Sequence, residues 1–297
     1  MIRNTLLGGI LLLAAGVATA QDMPLTQVLI EGEGWQQLGA GYRFTEGPAV
    51  DRAGNVFFTD IPNSTIHKID VDGNVTLFAE NAARTNGLMF GPDGKLYGCR
   101  MGEKKIVAYA ADGSFETIAE DVSSNDLVVT SEGTIYVTDP PNGQVWFIDW
   151  ERKKRVVAKG LEPNGIILWP REGTLVVTDR SRPHLWTFRV EQNGSLSHRD
   201  RYYLPLMLPS GRNRPGSDGM TVDGDNRLYV TTYAGVQMFD PTGRMGGVIA
   251  KPQPGSLSNV VFGGPGFQFL YVTAGDKVYR RRVKPVGAPY FLRAEQK

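Results

Sequence analysis

The chain has 297 residues, a formal net charge of +1, and 41% hydrophobic, 10% aromatic and 21% charged residues. This near balance of charge argues against a nucleic-acid or anionic-membrane partner, which would need a basic face. The single cysteine, Cys99, excludes an internal disulfide framework and a cysteine-based zinc site. The three histidines, His67, His184 and His198, are scattered along the chain and disfavour a histidine-rich metal site.

The N-terminus carries the pattern of a processing signal. Arg3 provides a positive charge, Leu6 to Val17 form an apolar run of twelve residues, and Ala18-Thr19-Ala20 supply small residues at the cleavage positions. The apolar run is too short to span a bilayer. We therefore expect residues 1–20 to be a signal peptide and the mature chain, residues 21–297, to be exported without a membrane anchor. It would be periplasmic in a Gram-negative host and secreted otherwise.

The mature chain repeats one β-rich unit six times. Each unit has two β-rich segments joined by a glycine turn, followed by a third segment and, in most units, another Asp-Gly-like turn. The second segments are Val56 to Asp60, Lys95 to Cys99, Thr134 to Asp139, Thr174 to Asp179, Arg227 to Thr231 and Phe269 to Thr273. A period of about forty residues with four strands is typical of propeller blades. The sequence therefore predicts an all-β fold, a six-bladed β-propeller with four-stranded antiparallel blades.

The six units are expected to form one domain, because a single blade cannot bury both of its own faces. Val28 to Leu38 are predicted to supply an outer strand that closes the ring against the last blade. The long interval from Gln192 to Pro215, between the fourth and fifth units, is predicted to contain an inserted loop rich in arginine, proline and glycine.

An oxygen-bearing side chain precedes or begins the first strand of every unit. The six residues are Glu46, Asn86, Asn125, Asn164, Asp218 and Asn259, and they are separated by 40, 39, 39, 54 and 41 positions. First strands line the channel of a propeller, so these side chains should converge on its axis. Two carboxylates and four amides suit one divalent cation, with Ca²⁺ or Mg²⁺ favoured and Mn²⁺ or Zn²⁺ as alternatives.

The alternative is that these residues belong to ordinary Asn-Gly and Asp-Gly turns. That explains each member alone, but it explains poorly the presence of a glutamate and the common register of all six.

The ends of the second strands should reach the same face as these six residues. They carry Asp60, Arg100, Asp139, Asp179, Arg180 and Tyr233. Such residues could bind a hydroxylated substrate, although an aspartate at a strand end commonly bonds nearby backbone.

Six short motifs in a fixed order carry a family resemblance. They are Thr45-Glu46-Gly47-Pro48, Thr85-Asn86-Gly87-Leu88, Asn125-Asp126-Leu127-Val128-Val129, Thr138-Asp139-Pro140-Pro141-Asn142-Gly143, Pro163-Asn164-Gly165 and Ser217-Asp218-Gly219-Met220. Over nearly the whole mature chain the sequence resembles the SMP-30/gluconolactonase/luciferin-regenerating-enzyme-like family of calcium-dependent propeller lactonases. The resemblance implies that Glu46, Asn125, Asn164 and Asp218 hold the metal. It leaves Asn86 and Asn259 as candidates for substrate contact.

The resemblance implies a metal-dependent hydrolase that opens a sugar lactone, with the metal polarising the carbonyl and Asp218 as general base. Arg100, Asp139 and Tyr233 are further candidates for substrate binding. Arg100 stands where bacterial lactonases often carry histidine, and Asn142 where some carry an aromatic residue, so the identity of the lactone stays open. The alternatives are a phosphotriesterase-like hydrolase of the same fold and a non-catalytic exported propeller that binds a ligand. Nothing in the sequence demands a protein partner, which is compatible with a monomer or a weak oligomer.

Overall fold

The computed structural model describes residues 25–289 as six sheets, each with four antiparallel strands. This confirms the predicted six-bladed propeller. The predicted signal peptide, residues 1–20, lies outside the described residues, and export stays a prediction. Within residues 25–289 the helical segments are single turns of 3₁₀ helix, and none is long and apolar enough to cross a membrane.

The first strand of the chain, β1 (Gln36–Ala40), belongs to the last blade, and the next twelve strands form blades 1 to 3 in chain order. Blade 1 contains β2 (Thr45–Val50), β3 (Val56–Asp60), β4 (Thr65–Ile69) and β5 (Val75–Ala79). Blade 2 contains β6 (Thr85–Phe90), β7 (Leu96–Arg100), β8 (Lys105–Tyr109) and β9 (Phe115–Ala119). Blade 3 contains β10 (Leu127–Val129), β11 (Ile135–Asp139), β12 (Gln144–Ile148) and β13 (Lys154–Lys159).

Blades 4 to 6 complete the ring. Blade 4 contains β14 (Pro163–Leu168), β15 (Thr174–Asp179), β16 (Leu185–Val190) and β17 (Leu196–Tyr202). Blade 5 contains β18 (Met220–Val222), β19 (Leu228–Thr232), β20 (Gly235–Phe239) and β21 (Met245–Ile249). Blade 6 contains β22 (Asn259–Gly263), β23 (Phe269–Ala274), β24 (Lys277–Arg282) and β1. The short 3₁₀ turns are Leu25–Gln27, Met101–Glu103, Pro140–Asn142 and Pro265–Phe267.

The ring closes by pairing the two ends of the chain, as predicted, but with a different strand boundary. The closing strand β1 pairs antiparallel with β24 from Gln36 to Ala40, rather than from Val28 to Leu38. A turn interrupts the predicted strand, because the Glu33 amide donates to the Ile30 carbonyl and Gly32 has a φ of +79°. Residues before this turn still contribute, since Val28 is fully buried in the core of the last blade.

The core lies between neighbouring blades. Tyr229 of blade 5, for example, packs its ring edge-on against Phe262 of blade 6, with ring centroids 5.2 Å apart. Because each inner strand is covered on both faces, β2 and β3 are buried along their entire length. The inserted loop between blades 4 and 5 spans residues 203–219, because β17 occupies the start of the interval in which the loop was predicted.

Candidate metal and active site

The six predicted oxygen-bearing residues lie at the channel ends of the six blades, at one mouth of the channel. In blades 1, 2 and 4 the pairing of the first two strands is interrupted at the polar residue, with register shifts after Glu46, after Thr85 and after Pro163. In blades 3 and 5 the polar residue precedes the strand, and in blade 6 Asn259 begins it. Such interruptions re-aim a side chain away from the normal pleat, here towards the axis.

Second-strand threonines hold the backbone of this polar ring, which we define as Glu46, Asn86, Asn125, Asn164, Asp218 and Asn259. The Thr138 hydroxyl donates to the Asn164 carbonyl at 2.6 Å, and the Thr138 carbonyl accepts from the Asn125 amide at 2.9 Å. In blade 5 the Thr231 carbonyl accepts from the Asp218 amide at 3.0 Å. The recurring Thr at strand ends therefore ties each ring position to its own blade or to the next one.

Glu46 is a buried carboxylate with two hydrogen-bond donors. Its Oε2 accepts from the Gly47 amide at 2.7 Å and from the Asn259 side-chain amide at 3.3 Å. Burial raises the pKa of Glu46 to about 7, against the lowering effects of these two donors and of the Arg180 guanidinium. The carboxylate is therefore short of positive charge when it is ionised.

Asp218 lies close enough to Glu46 for the two carboxylates to repel each other. Burial and the charge of Glu46 raise the pKa of Asp218 well above its ordinary value. The Arg180 guanidinium and a hydrogen bond from the Asn164 side chain act in the opposite direction. Glu46, Asn164 and Asp218, three of the four implied ligands, are thus brought together in the structure.

Asp126 is a third carboxylate at the site, and the sequence reasoning did not include it. Its Oδ1 accepts from the Leu127 amide at 2.9 Å, and its side chain also bonds the Ile166 amide and the Asn259 side chain. Burial and the nearby charge of Glu46 raise its pKa to about 7. The sequence did carry a signal for Asp126, because the position directly after the ring residue is glycine in four other blades and aspartate here.

The glycines that follow the ring residues are required by close approach of the neighbouring blade. A Cβ atom on Gly87 would lie 2.2 Å from Asp126 Oδ1, and one on Gly219 would lie 1.8 Å from Asn259 Oδ1. Neither glycine has a positive φ. The Asn-Gly and Asp-Gly pairs at these positions are thus explained by blade packing around the channel rather than by turn geometry.

The donors present fit a hard divalent cation. Residues 25–289 contain no group of three or more His, Cys, Asp or Glu side chains arranged to hold a metal ion, so a cation here would depend on asparagine oxygens as well. Carboxylate and amide oxygens are the ligands that Ca²⁺ prefers. A cation between Glu46 and Asp218 would also offset the repulsion from Glu46 that contributes to the raised pKa of Asp218.

Two further predicted contacts are placed on the same face. Asn86 is buried, and its side-chain amide points at the Met101 sulfur at 3.7 Å. Tyr233 is half-buried, and its amide donates to the Pro215 carbonyl of the inserted loop at 2.9 Å.

Arg100 and Asp139 are not brought to the ring. The Arg100 guanidinium donates to Glu103, to the Tyr109 hydroxyl and to the Asn81 carbonyl, and it stacks 4.2 Å from the Phe115 ring centroid on the outer part of blade 2.

Asp139 is fully buried within blade 3. It accepts from the indole nitrogen of Trp146 at 2.8 Å and from the side chains of Asn142 and Gln144. Both side chains are held by contacts away from the ring, and the prediction that they bind substrate stays a prediction.

The channel on the far side of the ring is mostly apolar. Asp126 and Asn259 border a cavity of about 130 Å³, which otherwise is lined largely by first-strand residues such as Val128 and Val261. At its far end Ala288 donates to the Val222 carbonyl at 3.1 Å, so the C-terminal part of the described chain lies across that mouth. A small polar substrate is therefore expected to approach the ring from the opposite, open face.

The fold and site together define a six-bladed propeller with a largely buried ring of carboxylates and amides at one mouth of its channel. The family model described as the SMP-30/Gluconolactonase/LRE-like region matches residues 44–276, and the chain belongs to this family. The matched range contains the complete polar ring.

Curated relatives and solved structures agree with this assignment. A gluconolactonase from Zymomonas mobilis is 27% identical over 292 residues, covering 84% of this chain and 81% of the relative. Lactonase drp35 from Staphylococcus aureus is 27% identical over 223 residues, covering 69% and 68%. The structure of a gluconolactonase from Xanthomonas campestris has a TM-score of 0.77 and 25% identity, covering 88% and 92%.

A calcium-binding regucalcin from Agrobacterium tumefaciens has a TM-score of 0.72 at 17% identity, covering 86% of this chain and 95% of its own, and this supports the fold alone.

Proposed function

We propose that the protein is a metal-dependent lactonase that hydrolyses a sugar lactone at the open mouth of the channel. The observation that carries the proposal is the convergence of Glu46, Asn164 and Asp218, in which two carboxylates have raised pKa values although the Arg180 guanidinium acts in the opposite direction. The gluconolactonase from Zymomonas mobilis and lactonase drp35 support the class of substrate.

Glu46, Asn125, Asn164 and Asp218 would hold one divalent cation, with Ca²⁺ favoured by the all-oxygen donor set. When bound, the cation supplies polarisation of the lactone carbonyl and stabilisation of the negative charge that develops on its oxygen. The protein contributes a dry, preformed ring whose backbone is held by strand-end threonines, so little reorganisation is needed as charge develops.

Asp218 is proposed as the general base. Its carboxylate takes a proton from the attacking water while the water oxygen forms a bond to the carbonyl carbon of the lactone. The ring carbon–oxygen bond then breaks, the proton passes to the departing alkoxide, and the product is an open-chain hydroxy acid. Contact with the cation would keep the carboxylate of Asp218 ionised near neutral pH, which a general base requires.

Asn86, Asn259 and Tyr233 are proposed to border the substrate. Asn259 also holds the Glu46 carboxylate, so it acts both at the ring and next to the channel. Tyr233 lies beside the loop that leads to Asp218 and would contact the outer part of a sugar ring.

The test is hydrolysis of D-glucono-1,5-lactone, followed by acid release, before and after thorough chelation and after readdition of Ca²⁺. We expect chelation to abolish activity and Ca²⁺ to restore it. Asp218→Asn should lower kcat by about a hundredfold or more, the usual contribution of a general base. Lactone hydrolysis that survives both chelation and Asp218→Asn would overturn the mechanism. Hydrolysis of an organophosphate ester, with no hydrolysis of lactones, would instead indicate the phosphotriesterase alternative.

A further inference from the structure

The backbone of Arg180 lies directly beside the polar ring, between the segments that carry Asn164 and Asp218. Its amide donates to the Glu162 carbonyl at 3.1 Å, two residues before Asn164. The Ser217 hydroxyl, next to Asp218, donates to the carbonyl of the preceding Asp179 at 3.0 Å. These two bonds place the start of Arg180 at the rim of the ring on the blade 4–5 side.

The Arg180 side chain is exposed and is not committed to the fold. Within residues 25–289 its guanidinium makes no hydrogen bond and no salt bridge, and the adjacent Glu162 side chain does not pair with it. The two hydrogen bonds described above hold the backbone at this position at the rim, so the guanidinium of Arg180 can extend over the mouth of the channel. The carboxylate of the neighbouring Asp179 forms no salt bridge with Arg180 and instead accepts from the Trp186 indole and the Ser181 hydroxyl.

The inserted loop adds a second guanidinium to this side of the mouth. Gln237 clamps the loop at Met207, accepting from the Met207 amide at 2.8 Å and donating to its carbonyl at 2.9 Å. Further along the loop the Arg212 guanidinium lies 4.7 Å from the ring centroid of Tyr233. Residues 203–216 contain two arginines and no acidic residue, so the loop presents only positive charge beside Asp218.

We propose that Arg180, together with Arg212 of the inserted loop, forms a subsite for an anionic substituent of the substrate, a carboxylate or a phosphate carried by the lactone. This inference rests on the proposed lactonase function and refines its substrate class. A neutral sugar lactone offers hydroxyl groups only, whereas a guanidinium matches the two oxygens of a carboxylate or phosphate by paired hydrogen bonds. The anion would bind at the rim while the lactone carbonyl lies at the ring.

The experiment compares kcat/KM for two matched pairs of lactones in the calcium-loaded enzyme. D-glucono-1,4-lactone is paired with D-glucaro-1,4-lactone, which carries a carboxylate, and D-glucono-1,5-lactone with its 6-phosphate. We expect the enzyme to prefer the anionic member of one pair by about tenfold or more, and the pair identifies the anion. Raised salt should weaken that preference, because the rim is exposed.

Arg180→Gln should remove the preference mainly through KM and affect the anionic lactone much more than the neutral one, while Arg180→Lys should restore part of the preference. Arg171→Gln is the matched control, since Arg171 lies in the turn at the far end of the same β14–β15 hairpin and should change neither substrate. An equal effect of Arg180→Gln on neutral and anionic lactones would mean that Arg180 only balances the carboxylates, and would overturn the subsite. Absence of any preference in the unmodified enzyme would overturn it too.

Failure of the proposed lactonase function can be distinguished from failure of the proposed anion subsite. If no lactone is hydrolysed, calorimetric binding of D-glucaro-1,4-lactone and of D-glucono-1,5-lactone 6-phosphate still tests the subsite. Binding of either lactone that Arg180→Gln weakens at least about tenfold would retain it. It would be overturned if neither lactone binds, or if Arg180→Gln leaves the binding of both unaffected.

Discussion

The side-chain amide of Asn259, in the last blade, donates a hydrogen bond of 3.3 Å to the carboxylate of Glu46 in the first blade. The residues are 213 positions apart in the chain, and the adjacent Ser258 hydroxyl donates to the Thr45 carbonyl at 2.8 Å. Closure of the propeller and assembly of the polar ring therefore occur at the same seam.

Asn259→Leu should destabilise the metal-free protein by about 1–3 kcal/mol, because Glu46 loses a donor while it stays buried. Asn259→Asp should be more damaging at pH 8, since it sets another carboxylate beside Glu46, and Ca²⁺ should rescue it more strongly than it rescues the unmodified protein. Urea unfolding with and without Ca²⁺ measures both effects. Unchanged stability of Asn259→Leu would show that the seam does not depend on this bond.

Gly219→Ala should destabilise the protein by about 1–3 kcal/mol and lower activity, because the added methyl group would displace Asn259. Gly173→Ala is the control, since a Cβ there meets nothing within 4 Å and its φ is not positive. Thermal melts and lactone assays of the two variants give the comparison, and equal behaviour would contradict the close packing at the ring.

Binding of Ca²⁺ should release protons near neutral pH. Burial raises the pKa values of Glu46 and Asp126 to about 7, so these groups are partly protonated at pH 7 in the metal-free protein. A cation favours their ionised forms, so its affinity should rise as the pH increases from 6 to 8. Calorimetry in buffers of different ionisation enthalpy measures the protons released. Asp126→Asn should reduce their number, and pH-independent binding would refute the coupling.

His67 should make the protein less stable in mild acid. Its ring stacks on Phe58 at 5.2 Å, and desolvation lowers its pKa below the ordinary value of 6.5, although the charge of Asp60 acts in the opposite direction. The unfolded chain therefore binds more protons around pH 6, so the stability that is present above pH 6.5 is lost as the pH falls below it. The difference in unfolding free energy between His67→Gln and the unmodified protein should shrink on acidification. His198→Gln, at an exposed position, is the control and should show no such trend.

Arg100→Ala should lower stability and leave the KM for lactones unchanged. The guanidinium bonds Glu103, the Tyr109 hydroxyl and the Asn81 carbonyl, and it stacks on Phe115. Loss of these contacts is expected to cost about 2–4 kcal/mol because the Tyr109 side is buried. A raised KM at unchanged stability would instead favour the substrate contact that the sequence suggested.

The sequence by itself determined the six repeats, the channel position of the first strands and the polar ring. These features are local, because turn residues and β-rich segments recur at a fixed spacing, and equivalent positions of equivalent blades must meet at one axis. The family motifs around Glu46, Asn164 and Asp218 lie on those same local segments.

Only the tertiary structure decided where the remaining polar side chains point. Arg100 and Asp139 stand at equivalent strand ends, yet their contacts with outer strands hold both side chains inside their blades. Asp126 and Arg180 are adjacent to ring motifs, but their roles depend on neighbouring blades, which partly bury Asp126 and leave the Arg180 guanidinium exposed at the rim. Spacing along one chain specifies which residues reach the axis, whereas packing between blades decides which of them stay charged, buried and available.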